Sequence, residues 1–599
     1  MCGIFGTFGF SDRTLMKRMD AAMTHRGPDD HGYFLDDNVA IGSRRLSIID
    51  ISGGRQPIHN EDSSLWIAYN GEAYNFRELR MALEKKHRFY TNTDTEVLLH
   101  AYEEYGLGFI DKVNGMFAFA IWDSRKKTLI LGRDRIGIKP LYYLTDGQRL
   151  VFASEIKSIL QYPFTREVDQ TALYRFLVLK YVPGDITMFR GVRKLLPGHV
   201  LICSRDGFRT EKYWDADIMP AEMSLEVCSQ RLGEMLRKSV EMRLISDVPV
   251  GAFLSGGLDS SIITGIMSEV SDKVKTFSVG FDVQEYNELE FARMASEHFG
   301  TDSHEVILDP EKFLRILPKV VWHFDEPNSD PAAIPTFYIS ELARKNVKVI
   351  LTGEGADELF GGYAKYNVQR RETMSQHYMK LPGGLRGLAG RVLPEKYASY
   401  LRAAEKTRRT YLTPNVSYSE RLERHATAKG LAEDMNRVFD GHVRSHDRLT
   451  EMSYIDLKTW LPEEILMKTD KMTMANSIEA RVPFLDHNIA EFALSMPPRF
   501  RISGNVHKFI LRHAFRDMLP PRIRDRGKWG FNVPLPLWQK DLVRDMEEEV
   551  SSSDIVRKHV DSAYVRKCTK PKNMQFFFNL VILKKWSDIF IEGDGSIPA

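Results

Sequence analysis

The second residue of the chain is a cysteine, the first group in the sequence suited to covalent chemistry. A small residue at position 2 permits removal of the initiator methionine, which would leave Cys2 with a free α-amine. With an unperturbed pKa of about 7.7–8, that amine can accept the thiol proton. A thiol that cleaves an amide also needs donors for the oxyanion it creates. Asn70 and Gly71 offer a side-chain amide and a backbone N–H at adjacent positions. The competing reading of Asn-Gly is a tight hairpin turn. A free α-amino acid substrate needs a partner at each end: Arg45 can fork onto an α-carboxylate, and Asp94 can hold an α-ammonium. Asp94 could equally be a first-turn acid on a helix, worth about 0.3–1 kcal/mol, and Cys2 merely a small buried side chain. Each bland reading is credible singly; all of them together are not.

A second constellation lies downstream. Ser255-Gly256-Gly257-Leu258-Asp259-Ser260-Ser261 stands between an apolar run and a helical stretch. Glycines let a backbone approach phosphate, a helix N-terminus presents unpaired N–H groups, and the serines add donors. No Gly-Lys-Ser/Thr follows at Walker spacing, which argues against a P-loop kinase. Asp259 is a candidate Mg²⁺ ligand. Asp357, in Thr352-Gly353-Glu354-Gly355-Ala356-Asp357-Glu358, is a second, since magnesium favours a few carboxylates beside phosphate and water. The alternative for Asp357 is first-turn capping. Lys471 sits in a mostly apolar run, unlike a free surface lysine.

These residues need elements to hold them. Leu15, Met16, Met19, Ala22 and Met23 follow helical spacing. Leu65–Tyr69 reads as a strand entering Asn70-Gly71, and Thr93–Glu96 has capping-box spacing ahead of a helix that Gly106 stops. Met116–Trp122, Thr128–Leu131 and Leu150–Ala153 read as strands, so the first part suggests sheets layered on one another with helices outside. Pro197-Gly198, Asp206-Gly207 and Pro220 punctuate a junction. Beyond it strands (249–254, 275–281, 304–308, 347–351) alternate with helices (261–270, 289–298, 338–344), the pattern of a doubly wound parallel sheet. Residues 365–450 read as helical. The expected units are 1–212 and 213–599.

The chain has 599 residues, with 43% hydrophobic and 27% charged residues, ordinary for a globular protein with several domains. Lys+Arg is 83 and Asp+Glu 81, a net +2 that gives no electrostatic reason for nucleic acid or an anionic membrane as partner. The cysteines at 2, 203, 228 and 568 show neither disulfide nor zinc spacing. No secretory signal or bilayer-length apolar segment is apparent, so a reducing cytoplasm is expected.

Cys2-Gly3-Ile4, His25-Arg26-Gly27-Pro28-Asp29, Arg45-Leu46-Ser47-Ile48, Asn70-Gly71-Glu72 and Thr93-Asp94-Thr95-Glu96 together resemble the class II glutamine amidotransferases. The resemblance implies a four-layer αββα N-terminal-nucleophile domain. In it Cys2 attacks the glutamine amide, Asn70 and Gly71 serve the oxyanion, and Arg45, Glu72 and Asp94 bind glutamine. Arg44 departs from it, standing where many relatives carry histidine. The 255–261 run resembles the loop of ATP pyrophosphatases, which adenylate a substrate and release pyrophosphate. That implies ATP contacts from Leu254, Ser255, Gly256, Gly257, Asp259, Ser260, Ser261, Val279, Thr352 and Gly353, with Mg²⁺ on Asp259 and Asp357. Lys468–Asp486 and Lys528-Trp529-Gly530-Phe531 resemble asparagine synthetases. By that match Lys471 faces the phosphates, and Glu354 is the acid tied to acyl-adenylate formation and ammonia attack. The substrates implied are glutamine, aspartate and ATP, and a homodimer is the assembly implied. A different acceptor carboxylate, or a non-catalytic relative, stays open; the latter predicts a decayed site, and none is seen.

Overall fold

The computed structural model describes residues 2–367, 447–527 and 532–598. The Lys528–Phe531 signature and most of the stretch read as helical at 365–450 lie outside the described residues.

The N-terminal part holds two six-stranded antiparallel sheets. One runs Val192–Lys194, Tyr142–Thr145, Leu150–Ala153, Cys2–Phe8, Val39–Arg45, Asp30–Asp36. The other runs Gly207–Lys212, His199–Ser204, Thr128–Arg133, Gly115–Asp123, Leu65–Ala73, Ile58–His59. Side chains alternate across a strand, so each sheet has two faces to cover. Ile4 and Phe8 meet Ala68, Ala120 and Trp122 in a core between the sheets. Phe5 points the other way, onto Leu15, Met16 and Met19 of the helix Arg13–Ala22. Ile67 and Tyr69 face outward onto Val97, Leu98 and Ala101 of the helix Asp94–Tyr105. The result is helix, sheet, sheet, helix. The same period-2 count turns Cys2, Asn70 and Glu72 toward the space between the sheets.

Asn70-Gly71 is therefore no hairpin. It lies inside the strand Leu65–Ala73, paired with Ala118 and Phe117, and a Cβ at Gly71 would stand 2.1 Å from the Met116 carbonyl oxygen. Thr93 caps its helix by accepting from the Glu96 N–H, but the box is not reciprocal: the Glu96 carboxylate accepts from the Tyr90 and Thr91 N–H groups instead. Cys2–Phe8 and Val39–Arg45 are strands that the alternation signal does not reveal. Both are buried on nearly every residue, so neither alternates in polarity.

The C-terminal part is built on a five-stranded parallel sheet. Val250–Phe253 is central, with Lys275–Phe281 and Asp302–Leu308 on one side and Val349–Leu351 and Glu479–Arg481 on the other. Leu351 and Ala252 face the helices Leu225–Arg243 and Leu258–Val270. Ile350 and Phe277 face the helix Ala333–Ala343, so the sheet is wound on both faces. That last helix starts five residues earlier than its periodicity suggests, with Pro335 in its first turn, where no N–H is needed. The order reverses between Val250–Phe253 and Val349–Leu351, and ligands bind open α/β sheets at that point, beyond the strand C-termini. The buried helix Met574–Ser587 carries the longest late apolar stretch, 576–583. Among the described residues no helix is long and apolar enough to cross a membrane.

Candidate active sites

Cys2 begins the central strand of the first sheet and is buried. Its nitrogen donates to the Asn70 Oδ1 at 3.0 Å, which ties the two sheets together beside the thiol. The other end of that amide, Nδ2, is buried without a hydrogen-bond partner. A buried vacant donor is costly unless something fills it, and an oxyanion beside Cys2 would. Burial pushes the Cys2 thiol up against the pull of Arg45, its register partner on the neighbouring strand. The thiol thus needs a base, the role expected of the α-amine. Gln56, which the sequence reading did not single out, points Nε2 at the Cys2 sulfur from 3.9 Å and accepts from the Tyr69 N–H through Oε1.

Asp94 accepts from the Ala73 N–H at 2.8 Å, and burial lifts its carboxyl to about 6. The Arg45 guanidinium is braced by the carbonyls of Ile49, Asp50 and Ile51. Glu72, expected on glutamine, shares the layer but meets Arg481 of the C-terminal part at 3.2 Å. Arg44 points outward to the Asp20 carboxylate at 2.6 Å, so the departure from histidine is a local ion pair away from Cys2.

The second site is a cleft of about 460 Å³ at the switch point. Leu254, Ser255, Gly257, Asp259, Ser260, Val279, Thr352, Gly353, Glu354 and Asp357 all line it. Gly256 and Ser261 do not. Gly256 has φ of +68°, and a Cβ there would lie 2.2 Å from the Phe291 carbonyl carbon, so it shapes the loop. Ser261 is buried in the first helical turn. Asp259 and Asp357 converge on one ammonium, Lys508 Nζ, at 2.5 and 2.6 Å. Burial lowers that lysine's hold on its proton, but the two carboxylates outweigh it and raise its pKa. The pair thus already brackets a cation, and its oxygen donors suit Mg²⁺. Glu354 accepts from Thr469 Oγ1 at 2.9 Å through Oε1, while Oε2 is buried without a partner. Lys508 is far in sequence from both aspartates, and no local signal marks it.

One expectation needs correction. Lys471 does not line the cleft. It is buried, pairs with Asp325 at 2.7 Å and lies 3.4 Å from Glu155. Lys468 lines the cleft and reaches Asp330 at 3.0 Å. The two lysines stand three residues apart on the helix Leu466–Met474, on one face but nearly a turn apart. The nearer meets Asp330 at the cleft and the farther meets Asp325 at the seam with the N-terminal part. On that seam Arg26 donates to Asp470 at 2.8 Å, to Glu155 at 3.0 Å and, through Nε, to the Cys2 carbonyl at 3.2 Å. The seam is charged, and Arg26 is fully buried.

Comparison with known proteins agrees with both halves. The asparagine synthase family model matches residues 231–587 and the glutamine amidotransferase domain model residues 1–214. Asparagine synthetase [glutamine-hydrolyzing] 1 of Bacillus subtilis is 36% identical over 99% of this chain and 97% of its own. A putative asparagine synthetase [glutamine-hydrolyzing] of Mycobacterium bovis is 33% identical over 98% of this chain and 96% of its own. The amidase chry2 of Gibberella zeae is 30% identical over 86% of this chain and 84% of its own. With two chemically equipped sites in one fold and likeness along nearly its whole length, the chain belongs to the glutamine-hydrolysing asparagine synthetase family.

Proposed function

We propose that this protein makes asparagine from aspartate, using ammonia cut from glutamine and a β-aspartyl-AMP intermediate. Residues 1–212 would act as glutaminase and 213–599 as synthetase. The Cys2 thiolate, its proton taken by the α-amine, attacks the glutamine amide. The oxyanion is held by Asn70 Nδ2 and the Gly71 N–H, while Arg45 and Asp94 grip the substrate's α-carboxylate and α-ammonium. Ammonia leaves, and water releases glutamate from the thioester.

In the synthetase part, the Ser255–Ser261 loop and the helix N-terminus at Leu258 hold ATP phosphates. Asp259 and Asp357 would hold Mg²⁺, which when bound offsets phosphate charge. An aspartate β-carboxylate oxygen attacks the α-phosphorus and pyrophosphate leaves. Ammonia then attacks the acyl carbon, and AMP departs with that carboxylate oxygen. Glu354, with a vacant buried oxygen in the cleft, would accept the proton that ammonia sheds.

The observation that carries this reading is the vacant Asn70 Nδ2 beside Cys2, in a chain whose second cleft gathers a glycine-rich loop and paired aspartates. The experiment is synthesis with ¹⁸O in the aspartate β-carboxylate. Label in AMP is expected; ADP and phosphate, or unlabelled AMP, would overturn the adenylate step.

A second reading keeps the same machinery but amidates another carboxylate, since a relative covering 86% of this chain bears a different name, that of an amidase. A screen of carboxylate acceptors separates the two: an acceptor turned over faster than aspartate would move the assignment.

A further inference from the structure

We propose that the glutaminase part carries a structural zinc site formed by Glu61, His87, His100 and Glu103. The four come from three segments: the turn before Leu65–Ala73, the loop after the helix Phe76–Leu83, and the helix Asp94–Tyr105, which carries His100 and Glu103 three residues apart. One ligand atom from each lies within 4.8 Å of all the others. His87 Nδ1 is 3.7 Å from both Glu61 Oε1 and Glu103 Oε2. His100 Nδ1 is 3.8 Å from Glu61 Oε2 and 3.5 Å from Glu103 Oε2. These separations are too long for hydrogen bonds. They are close to the edge of about 3.3 Å that a tetrahedron with zinc bonds of about 2.0–2.1 Å requires.

The buried polar atoms of the cluster point to the same ion. His100 is fully buried, yet neither ring nitrogen has a hydrogen-bond partner. Glu103 Oε2 and His87 Nε2 are likewise buried and unpartnered. The imidazoles stack at 4.6 Å with an interplanar angle of 29°. A divalent cation among the two Nδ1 atoms and two carboxylate oxygens would satisfy both Nδ1 atoms and the Glu103 oxygen.

The surroundings fit a closed site. Both carboxylates are also held from outside: Glu61 Oε1 accepts from the Arg88 N–H at 2.8 Å, and Glu103 Oε1 from Asn60 Nδ2 at 3.0 Å. Outer carboxylates face the far nitrogens, Glu96 Oε1 at 3.7 Å from His100 Nε2 and Glu104 Oε2 at 3.8 Å from His87 Nε2. Carboxylates behind ligating histidines are a recurring feature of zinc centres. Two neutral imidazoles and two carboxylates favour Zn²⁺ over Mg²⁺, which prefers oxygens throughout. The ion would pin the helix whose first residue is Asp94 to the turn that opens the Asn70 strand.

The test is metal analysis of the full-length protein purified without chelator, followed by thermal unfolding after chelation and after return of zinc or magnesium. About one zinc per chain is expected, with melting lowered by chelation and restored by zinc but not by magnesium. Glu61→Gln keeps an acceptor for the Arg88 N–H at an exposed position and so should fold. It should weaken zinc binding by about tenfold or more, and His87→Gln should do the same. A metal-free preparation whose melting ignores excess zinc would overturn the proposal. So would equal zinc content in wild type and both variants, which would place the metal elsewhere.

Discussion

Replacing Asn70 by alanine should cripple use of glutamine and spare synthesis from ammonium. The Asn70 amide oxygen is committed to the Cys2 nitrogen at 3.0 Å, so the amide cannot turn over without losing that bond. Its Nδ2 is therefore fixed, buried and vacant. A hydrogen bond to a charged partner contributes about 1.5–3 kcal/mol, and a buried unmet donor costs about 1–3 kcal/mol. The bond is strongest when the substrate oxygen has become an oxyanion. A transition-state loss of about 3–4 kcal/mol follows, or about 10²–10³ in glutamine-dependent kcat. Asn70→Asp keeps the size and the acceptor but removes the donor, and should be as poor as alanine. Glutamate release at saturating glutamine reads the loss; asparagine formed from ammonium chloride reads the untouched second site. A fall of less than tenfold would refute the oxyanion role. So would a rise in KM at unchanged kcat, or a parallel loss of ammonium-dependent synthesis.

Four further outcomes are expected. Burial lifts Asp94 to about 6, so its carboxylate is lost as pH falls through that value; kcat/KM for glutamine should then decline about tenfold per unit below pH 6, and the same acid limb in Asp94→Asn would assign it to another group. Lys471→Met leaves Asp325 with Lys157 at 2.7 Å, so denaturant unfolding should show a loss toward the low end of about 3–5 kcal/mol with KM for ATP unchanged; raised KM at native stability would return Lys471 to the phosphates. Arg481→Met takes the guanidinium from the buried Glu72 carboxylate and should cost about 3–5 kcal/mol on the same assay; a loss under 1 kcal/mol would show that carboxylate to be solvated. Asp470→Asn weakens the hold on Arg26 and should raise glutamate released per asparagine formed above one, whereas an unchanged ratio would dismiss the seam as a coupling route.

The sequence disclosed the parallel half of the fold better than the antiparallel half. Lys275–Phe281 and Leu289–Phe299 stand almost where periodicity puts them, because a short buried strand followed by a long amphipathic helix is a strong local signal. Cys2–Phe8 escaped because a strand packed on both faces has no alternation to read, and two of its seven residues are glycine. Local spacing also misjudged Asn70-Gly71: a pair that favours turns is held straight by ladder pairing to Ala118 and Phe117, a case of tertiary context overriding propensity. The site residues were more legible than the strands carrying them, since chemistry restricts residue type where packing only asks for bulk. What stayed hidden was long-range company. Lys508 meets Asp259 across some 250 positions and Arg26 meets Asp470 across more than 440, and nothing in local spacing reports such meetings.

The helix Leu466–Met474 shows why two sites in one chain need not be two independent machines. Four consecutive residues on a helix sweep its whole circumference, about 100° each. Lys468 reaches Asp330 at the cleft, Thr469 the Glu354 carboxylate, Asp470 the Arg26 guanidinium and Lys471 the Asp325 carboxylate. All four side chains are buried, so none can relax into water if its partner moves. Arg26 then reaches the Cys2 carbonyl. Glu354 in one site and Cys2 in the other are thus separated by two adjacent helical residues and one arginine. A π-helical turn, Leu461–Ile465, precedes this segment, and such turns recur where a helix must present unusual contacts. Charged groups are an expensive way to build a buried seam, because apolar packing of equal volume is often at least as stable. Their presence here is better explained by a demand for fixed geometry between the two sites than by a demand for stability.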